Sequence, residues 1–462
     1  MNDQPSAGLL PLYVELYDDA SPEARPGVET FRDRVADGLR GQGVRLVVAP
    51  VARVKREFEA AVELLEDSDV DIIVTLHLAY SPSLEAADAL CRTERPILAL
   101  DTTPDYDFGR GVDPDRIMYN HGIHGVQDLT SVLRRRGRPY EIVAGHVTES
   151  DVLARAADVV RAAHAARRFR RTNALRIGET FDGMGDFDVP PDVLQDRLGI
   201  SVEQRTPTDL AEYVEAVTDE EIAAEMARDR ERFAVDCDEA VHRRATRVGL
   251  GLRRLLETEA VDAMSANFMA FDGRPPVDTV PFVELSKAME RGIGYAGEGD
   301  VLTASLVGAL LAVFPATTFT EIFCPDWRGD ALFLSHMGEI NPAVAAGRPR
   351  LCSRPFPFTA AREPAILAAA PRPGPAALVN LAPGPDDSFR LIVAEVDVLP
   401  DTEREDLQDK VRGWVRPSRP VAEFLEVYSR NGGTHHSGLV LGRHAEALAA
   451  FARFVGIPCR EI

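Results

Sequence analysis

Four short segments near the end of the chain carry side chains that can do chemistry, each at the edge of a predicted strand or helix. They are GYAGEGD (294–300), TFTEIF (318–323), LSHMGEINP (334–342) and NGGTHHSG (431–438). Together they offer glutamates and histidines, and such a mixed set of oxygen and nitrogen ligands suits Mn²⁺, Co²⁺ or Mg²⁺ in open octahedral geometry. Zinc more often recruits cysteine or three histidines. The pattern therefore predicts a divalent-metal site.

The two candidate glutamates each have a simpler alternative role. Glu298 precedes Asp300, the predicted N-cap of an apolar helix, and a helix N-terminus favours a carboxylate. The alternative is a capped helix start with no further role. Glu321 breaks the alternation of an apolar strand and is predicted on the same face as Phe319 and Phe323. A carboxylate among aromatic rings must be paired, protonated or bound to a metal, unless that face is exposed to solvent.

The candidate histidines also have alternatives to a role as metal ligands. His336 follows an apolar strand, where a purely structural histidine is the alternative. His435 and His436 are adjacent beside two glycines. In an extended segment adjacent side chains point to opposite faces, so only one of the two imidazoles is expected to face a given site.

The segments before these motifs alternate between strand-like and helix-like patterns. Strands are predicted at LPLYVELY, VRLVVAPV, VDIIVTLHLAY and RPILALDTT, with amphipathic helices between them. Such alternation predicts a parallel sheet with right-handed crossovers. Ligands of these sheets bind beyond the carboxyl ends of the strands. No GxGxxG or GxxxxGK[ST] motif follows these strands, so a nucleotide site is not predicted.

The second half of the chain changes character at about Pro315. A helix near 148–171 is predicted to lead into a second α/β unit, which includes one long charged helix around 218–257. After Pro315, short β-type segments such as TTFTEIFCPD, DALFLSHMG and VAEFLEVYS predict an antiparallel sheet or small barrel. The predicted domains are 1–170, 171–315 and 316–462, and the last carries most candidate ligands.

Composition narrows the classes of partner. A chain of 462 residues exceeds the usual size of one core. Its formal net charge of −22 repels nucleic acid and anionic membrane surfaces. The sequence shows no run of eighteen apolar residues and no signal-peptide pattern at its start. Five scattered cysteines without a CxxC suit reduced thiols, so a cytoplasmic protein is predicted.

At the four segments the chain resembles the L-arabinose isomerase/L-fucose isomerase family, nearer its arabinose branch. GYAGEGDVLTASL matches the branch's G-x-x-GEGD-x-x-T-A-x-L, LSHMGEINP resembles its SHM-x-E-x-x-P, and NGGTHHSG resembles its GGAHH. Upstream, HLAYSPS, the region of Asn120 and His124-Gly125, and IGETFDGMGDF around Met184 are also similar. The resemblance is therefore scattered over nearly the whole chain in the same order.

The resemblance implies a fold and a ligand set. The fold is two Rossmann-like α/β domains followed by a C-terminal antiparallel β-barrel-like domain, in agreement with the pattern above. The cofactor is Mn²⁺, with Co²⁺ or Mg²⁺ as alternatives. The implied metal ligands are Glu298, Glu321, His336 and His436.

The same resemblance implies substrate contacts and an assembly. Contacts to a monosaccharide are expected from Tyr80, His124, Met184, Met337 and His435. Members of the family are homo-oligomers, either trimer-based hexamers or tetramers. Their active sites lie at subunit interfaces and draw residues, here His124, from a neighbour's N-terminal domain.

The implied reaction interconverts an aldose and its ketose, with L-arabinose and L-ribulose as the first pair. D-galactose, L-fucose and D-arabinose are the other substrates left open. One of Glu298 and Glu321 would take a proton from C2 while the other manages protons on the oxygens, through a cis-enediol. The resemblance does not decide which glutamate is the base.

One departure keeps the substrate open. The arabinose branch ends its first strand with Gln-His-Leu-Tyr, whereas this chain has Glu15-Leu16-Tyr17-Asp18 at that place.

Two other classes of function are alternatives to an isomerase. A metal-dependent epimerase or lyase would use the same acid and base, and a non-catalytic sugar-binding protein would not need four metal-competent side chains.

Overall fold

Strands and helices alternate through the first two thirds of the chain, and short strands dominate the rest. The computed structural model describes residues 4–402 and 404–462. These residues form two compact units, the first ending at Arg167 and the second beginning at Arg168. The predicted division into three domains stays a prediction. Among the described residues, every helix is too short or too polar to cross a lipid bilayer.

The first unit is built on a five-stranded parallel sheet in the order β2-β1-β3-β4-β5. Its strands are β1 (Ser6–Leu12), β2 (Arg45–Val48), β3 (Ile72–His77), β4 (Ile97–Asp101) and β5 (Glu141–Ala144). Its helices are α1 (Glu15–Ala20), α2 (Arg25–Gly41), α3 (Lys55–Asp67), α4 (Ser83–Arg92), α5 (Ile117–Asn120), α6 (Gly122–Arg135) and α7 (Val152–Phe169), which continues into the second unit. Every residue of β1 and β3 is buried, as expected for parallel strands covered on both faces.

The first strand lies earlier than LPLYVELY predicts. β1 ends at Leu12, and Glu15–Ala20 forms helix α1, which has no buried residue. All of Ser6–Leu12 is buried and all but its first residue is apolar, and the strand pairs with β2 and β3 on either side. Tyr17 therefore lies on a helix and not at the end of a strand.

The second unit contains a four-stranded parallel sheet in the order β10-β9-β6-β7. Its strands are β6 (Asn173–Ile177), β7 (Ser201–Arg205), β9 (Ala263–Ala266) and β10 (Gly294–Gly297). The helices of this part are α8 (Pro191–Leu198), α9 (Ala211–Glu215), α10 (Asp219–Arg232), α11 (Glu239–Thr258), α12 (Phe282–Glu290) and α13 (Val301–Leu311). All eleven residues of α13 are buried, as expected for a helix that is apolar on all sides.

The single helix predicted around 218–257 is wrong, because the segment is two helices. Phe233 ends α10 and is buried, and strand β8 (Ala234–Asp236) follows it. β8 pairs with β13 (Arg350–Ser353), which also pairs with β14 (Ala365–Ala368). Asp238 then caps α11 by accepting a hydrogen bond from the backbone N–H of Ala240. The interruption therefore depends on a distant strand.

The last part of the chain forms a closed antiparallel barrel of six strands in the order β15-β18-β11-β12-β17-β16, closed by the pairing of β15 with β16. The strands are β11 (Thr317–Asp326), β12 (Ala331–Ser335), β15 (Gly374–Pro383), β16 (Phe389–Val398), β17 (Gly413–Pro417) and β18 (His436–Leu441). Helix α15 (Ala445–Val455) and strand β19 (Cys459–Glu461), parallel to β16, end the chain. The predicted fold class of parallel α/β domains and an antiparallel barrel is confirmed.

The strand predicted at VAEFLEVYS is wrong. Val421–Arg430 forms helix α14, and its buried residues are Val421, Phe424 and Tyr428. Their spacing of three and four residues places them on one face of a helix. This helical spacing is visible in the sequence, although the neighbouring segments are short strands.

Candidate metal centre and active site

Neighbouring elements of the second unit bring the four predicted metal ligands together. Glu321 lies on β11, where it pairs with His436 of β18 on one side and with Ser335 of β12 on the other. His336 directly follows Ser335. Glu298 directly follows strand β10. The register of the barrel strands therefore positions three of the candidate ligands, and the end of one parallel strand positions the fourth.

The distances between ligand atoms are those of a compact cluster. One ligand atom from each of Glu321, His336 and His436 lies within 4.8 Å of the others. The same holds for Glu298, His435 and His436. Two ligands on opposite sides of an ion, each about 2.2 Å from it, lie roughly 4.4 Å apart. His436 belongs to both groups, so it links Glu298 to the group formed by Glu321, His336 and His436.

The buried histidines also have the chemistry of metal ligands. Nδ1 of His336 donates to Glu339 Oε2 at 2.8 Å, and Nδ1 of His436 donates to Asp300 Oδ2 at 2.9 Å. A carboxylate only accepts, so each pair places the lone pair of a neutral imidazole on Nε2. Both Nε2 atoms are buried and have no hydrogen-bond partner among the described residues. A buried polar atom without a hydrogen bond costs the folded protein about 1–3 kcal/mol. A metal ion bound by both nitrogens would remove this cost.

The carboxylates behind the histidines are themselves held in place. Glu339 is fully buried and accepts hydrogen bonds from the Tyr295 hydroxyl (2.6 Å) and the backbone N–H of Gly338 (2.7 Å). Asp300 is the N-cap of α13 and accepts from the backbone N–H of Thr303 at 2.8 Å. Carboxylates of this kind orient the ligating imidazole and fix its tautomer.

Backbone conformation at GEGD explains the two glycines. Glu298 has φ +65°, in the left-handed region, and Gly299 has φ +89°. A Cβ atom on Gly297 would lie 2.6 Å from Cε1 of His336. The first glycine therefore leaves space for a ligand imidazole, and the second permits the turn that presents Glu298.

The two candidate glutamates differ in electrostatic environment. Burial disfavours ionisation of Glu298, but the approach of His435 and His436 outweighs it and holds the pKa of that carboxyl well below its usual range. Burial raises the pKa of Glu321, and the attraction of His336 and His436 offsets only part of this. In this structure the two carboxyls therefore differ in how readily they ionise.

Aromatic rings enclose the histidines. Phe319 packs with its ring centroid 4.7 Å from that of His336 and 4.9 Å from that of His436. Phe187 stacks on His436 at 4.8 Å with an angle of 8° between the rings. Phe323, predicted on the same face as Phe319, is 43% exposed, and the strand register shifts between Ile322 and Cys324.

The prediction that the adjacent imidazoles point to opposite faces is wrong. Nε2 of His435 lies 3.8 Å from Glu298 Oε2, and Nε2 of His436 lies 3.6 Å from the same oxygen. Strand β18 begins only at His436, so His435 precedes the extended segment. Burial opposes charge on the His435 ring, but Asp186 and Glu298 outweigh it and raise its pKa to about 10.

The remaining predicted contact residues lie in two places. Met337 follows His336, and its carbonyl accepts from Arg354 at 3.0 Å. Met184 lies on the loop between β6 and α8. His124 and Tyr80 belong to the first unit, where their ring centroids are 6.2 Å apart. Their contact with a sugar stays a prediction.

Three groups of residues at this site were missed by sequence reasoning. Glu339 lies three residues after His336 in a segment singled out for its histidine, and this spacing was the available signal. Asp300 was assigned only as a helix cap, although its second oxygen accepts from His436. Asp186 and Phe187 follow Met184 in the loop GMGDF, where nothing in the local pattern indicates that they reach His435 and His436.

Comparison with known proteins shows similarity to L-arabinose isomerases over most of the chain. Residues 316–458 match the model of the L-arabinose isomerase C-terminal domain, and residues 193–314 match that of the central domain. The L-arabinose isomerase of Shouchella clausii is 26% identical over 98% of this chain and 93% of its own length. That of Nocardioides sp. is 28% identical over 89% of this chain and 84% of its own.

Solved structures are more distant. A periplasmic solute-binding protein from Actinobacillus succinogenes with bound D-allose is 12% identical, covers 67% of this chain and 92% of its own, and has a TM-score of 0.18. A TM-score this low carries no conclusion about fold or function.

Proposed function

Because the chain belongs to the L-arabinose isomerase family and is an aldose–ketose isomerase, we propose that it works with a bound divalent metal on a pentose such as L-arabinose. The supporting observation is the grouping of two carboxylates with two buried imidazoles whose Nε2 atoms have no hydrogen-bond partner among the described residues. We propose Mn²⁺ as the metal, with Co²⁺ or Mg²⁺ as substitutes.

The four ligand residues would hold the metal, and the outer carboxylates would hold the ligands. Glu298, Glu321, His336 and His436 supply the donor atoms. When bound, a divalent cation supplies Lewis acidity that polarises a sugar carbonyl and acidifies the adjacent C–H. Glu339 and Asp300 keep each imidazole in the tautomer with a free Nε2 lone pair. Phe319 and Phe187 cover the rings and limit access of water.

Isomerisation requires two proton movements, and we assign them to the two glutamates. One carboxylate removes the C2 proton of the open-chain aldose, which leaves a cis-enediol, and delivers a proton to C1. The other accepts the O2 proton and returns one to O1, so the sugar gains and loses no atom. A carboxylate within hydrogen-bond reach of the proton that it transfers can act as a general acid or base of this type.

The proposed activity is tested with a panel of pentoses and hexoses, beginning with L-arabinose, in added Mn²⁺. We expect ketose from at least one aldose, loss of turnover after EDTA treatment, and recovery when Mn²⁺ is returned. In D₂O the ketose should carry deuterium at C1, with the other centres unchanged. An epimeric aldose would indicate an epimerase instead. Ketose from none of the sugars, with no effect of EDTA, would contradict the proposal.

We also propose that the protein is a homo-oligomer, a hexamer or tetramer, in which His124 of one copy serves the site of another. His124 is exposed on α6 of the first unit, which leaves it accessible to a neighbouring copy. The test mixes two inactive variants, His124→Ala and Glu321→Gln, under conditions that exchange subunits.

Mixing should restore activity, since roughly a quarter of the sites in a randomly mixed oligomer would combine both intact residues. A mixture of His146→Ala with Glu321→Gln is the control, because it should show only the activity of the first variant. If the mixture is no more active than its parts, or if the protein sediments as a monomer, the assembly proposal fails.

A further inference from the structure

The loop between β6 and α8 places two consecutive residues on two consecutive histidines. Asp186 contacts His435, and Phe187 stacks on His436. The loop is held at its start by the backbone N–H of Phe181, which donates to the carbonyl of Glu298 at 2.9 Å. Phe187 therefore contacts a proposed metal ligand, His436, whereas Asp186 contacts His435, which is not one of the proposed ligands.

Asp186 holds both the main chain and the ring of His435. Its Oδ2 accepts from the backbone N–H of His435 at 3.1 Å and from Nδ1 at 2.7 Å. Two bonds from one carboxylate oxygen fix the orientation of the ring. With Nδ1 occupied, Nε2 is the ring nitrogen on the side of Glu298, 3.8 Å from Oε2.

Exposure separates this pair from the metal-ligand histidines. The side chains of His435 and Asp186 are 29% and 38% exposed. The side chains of His336 and His436 are 1% and 0% exposed, and the carboxylates that hold them are fully buried. His435 therefore lies on the open side of the cluster, which a bound sugar must occupy, and not in its closed interior.

We propose that Asp186 is a positioning residue of the substrate site, which holds the His435 ring so that Nε2 contacts a hydroxyl group of the sugar. The proposal rests on the proposed isomerase function and adds a residue that binds neither metal nor sugar itself. A sugar hydroxyl can donate to Nε2 or accept from it, so the contact does not depend on the charge of the ring.

The test compares Asp186→Ala with His435→Asn and with the double variant. Asparagine at 435 keeps a donor near the Nδ1 position but removes the nitrogen that would reach the sugar. Asp186→Ala should lower kcat/KM by about 10- to 100-fold, as loss of a carboxylate that orients a functional histidine does. Most of the loss should fall in KM, because a contact to a sugar hydroxyl is made in the ground state as well as the transition state.

Asp186 acts through His435, so Asp186→Ala should have no further effect in the His435→Asn protein. Asp188→Ala, an exposed aspartate of the same loop, is the matched control and should leave KM unchanged. Bound Mn²⁺ should be equal in all variants. The proposal fails if the two effects multiply, if Asp186→Ala equals the control, or if it loses Mn²⁺.

Binding of L-arabinitol to the Mn²⁺-loaded protein, measured by calorimetry, separates this proposal from the proposed function. If the wild type turns over no aldose but binds the alditol, the isomerase proposal fails and the variants still test Asp186 by their affinity. If Asp186→Ala binds the alditol as tightly as wild type, the positioning role is contradicted even in an active isomerase. A wild type that binds neither substrate nor alditol contradicts both.

Discussion

Replacing Glu321 by glutamine is expected to lower kcat by about 10²–10⁴-fold or more, with the protein folded. Glutamine has the size and shape of glutamate, but its neutral amide cannot take a proton from the substrate. Glu321 is half-buried in the cluster of candidate ligands, and burial raises its pKa. Initial rates of ketose formation at saturating Mn²⁺ and saturating aldose measure the effect.

The matched control for Glu321→Gln is Glu395→Gln. Glu395 is also a half-buried glutamate on a barrel strand, on β16, outside the ligand cluster. Its replacement should leave kcat within a small factor of wild type. Bound Mn²⁺ is measured in parallel, so that a loss of metal and a loss of proton transfer are told apart. A Glu321→Gln enzyme with more than a tenth of wild-type kcat would contradict a role of Glu321 in proton transfer.

Replacing His436 by asparagine is expected to weaken Mn²⁺ binding strongly. Loss of a residue that only hydrogen-bonds a metal ligand lowers metal affinity by about 10- to 100-fold, and loss of the ligand itself should lower it further. Asparagine can still donate to Asp300 from near the Nδ1 position, so that buried carboxylate keeps its partner, whereas Nε2 is removed. A ligand at 100 times its Kd stabilises the folded protein by about 2.7 kcal/mol. The rise in Tm on adding Mn²⁺ should therefore be present in wild type and absent in this variant.

His444→Asn is the control for the metal experiment. His444 is a half-buried histidine of the same unit, stacked on Phe314 at 4.1 Å and outside the cluster. It should keep the Mn²⁺-dependent rise in Tm. A His436→Asn protein that binds Mn²⁺ as tightly as wild type would contradict the assignment of this histidine, and the absence of any Mn²⁺ effect on wild type would contradict the metal site itself.

The fold class was predictable because it depends on local patterns. Continuous apolar strands between amphipathic helices indicate parallel sheets, and short strands between turns indicate an antiparallel barrel. The errors lie where a local pattern is ambiguous or a distant partner decides. VAEFLEVYS has a helical spacing but lies among short strand-like segments, whereas the break between α10 and α11 exists because β8 pairs with β13.

The candidate ligands were predictable as residue types at particular places, since glutamate and histidine beside glycine or a turn are visible in the sequence. Their partners were not. Glu339 and Asp300 determine which nitrogen of each histidine is available, yet each carboxylate had a plausible local explanation as a turn or cap residue. Asp186 reaches His435 from a loop far away in the chain.

The sequence by itself determined which side chains were available and at which ends of strands and helices they lie, because periodicity and turn chemistry act over a few residues. Only the tertiary structure decided that Glu321 lies opposite His436, that two Nε2 atoms are left without hydrogen-bond partners among the described residues, and that His435 faces the same glutamate as its neighbour. Those features depend on strand register between distant segments. A shift of one residue in β11 or β18 would turn Glu321 or His436 to the other face of its strand.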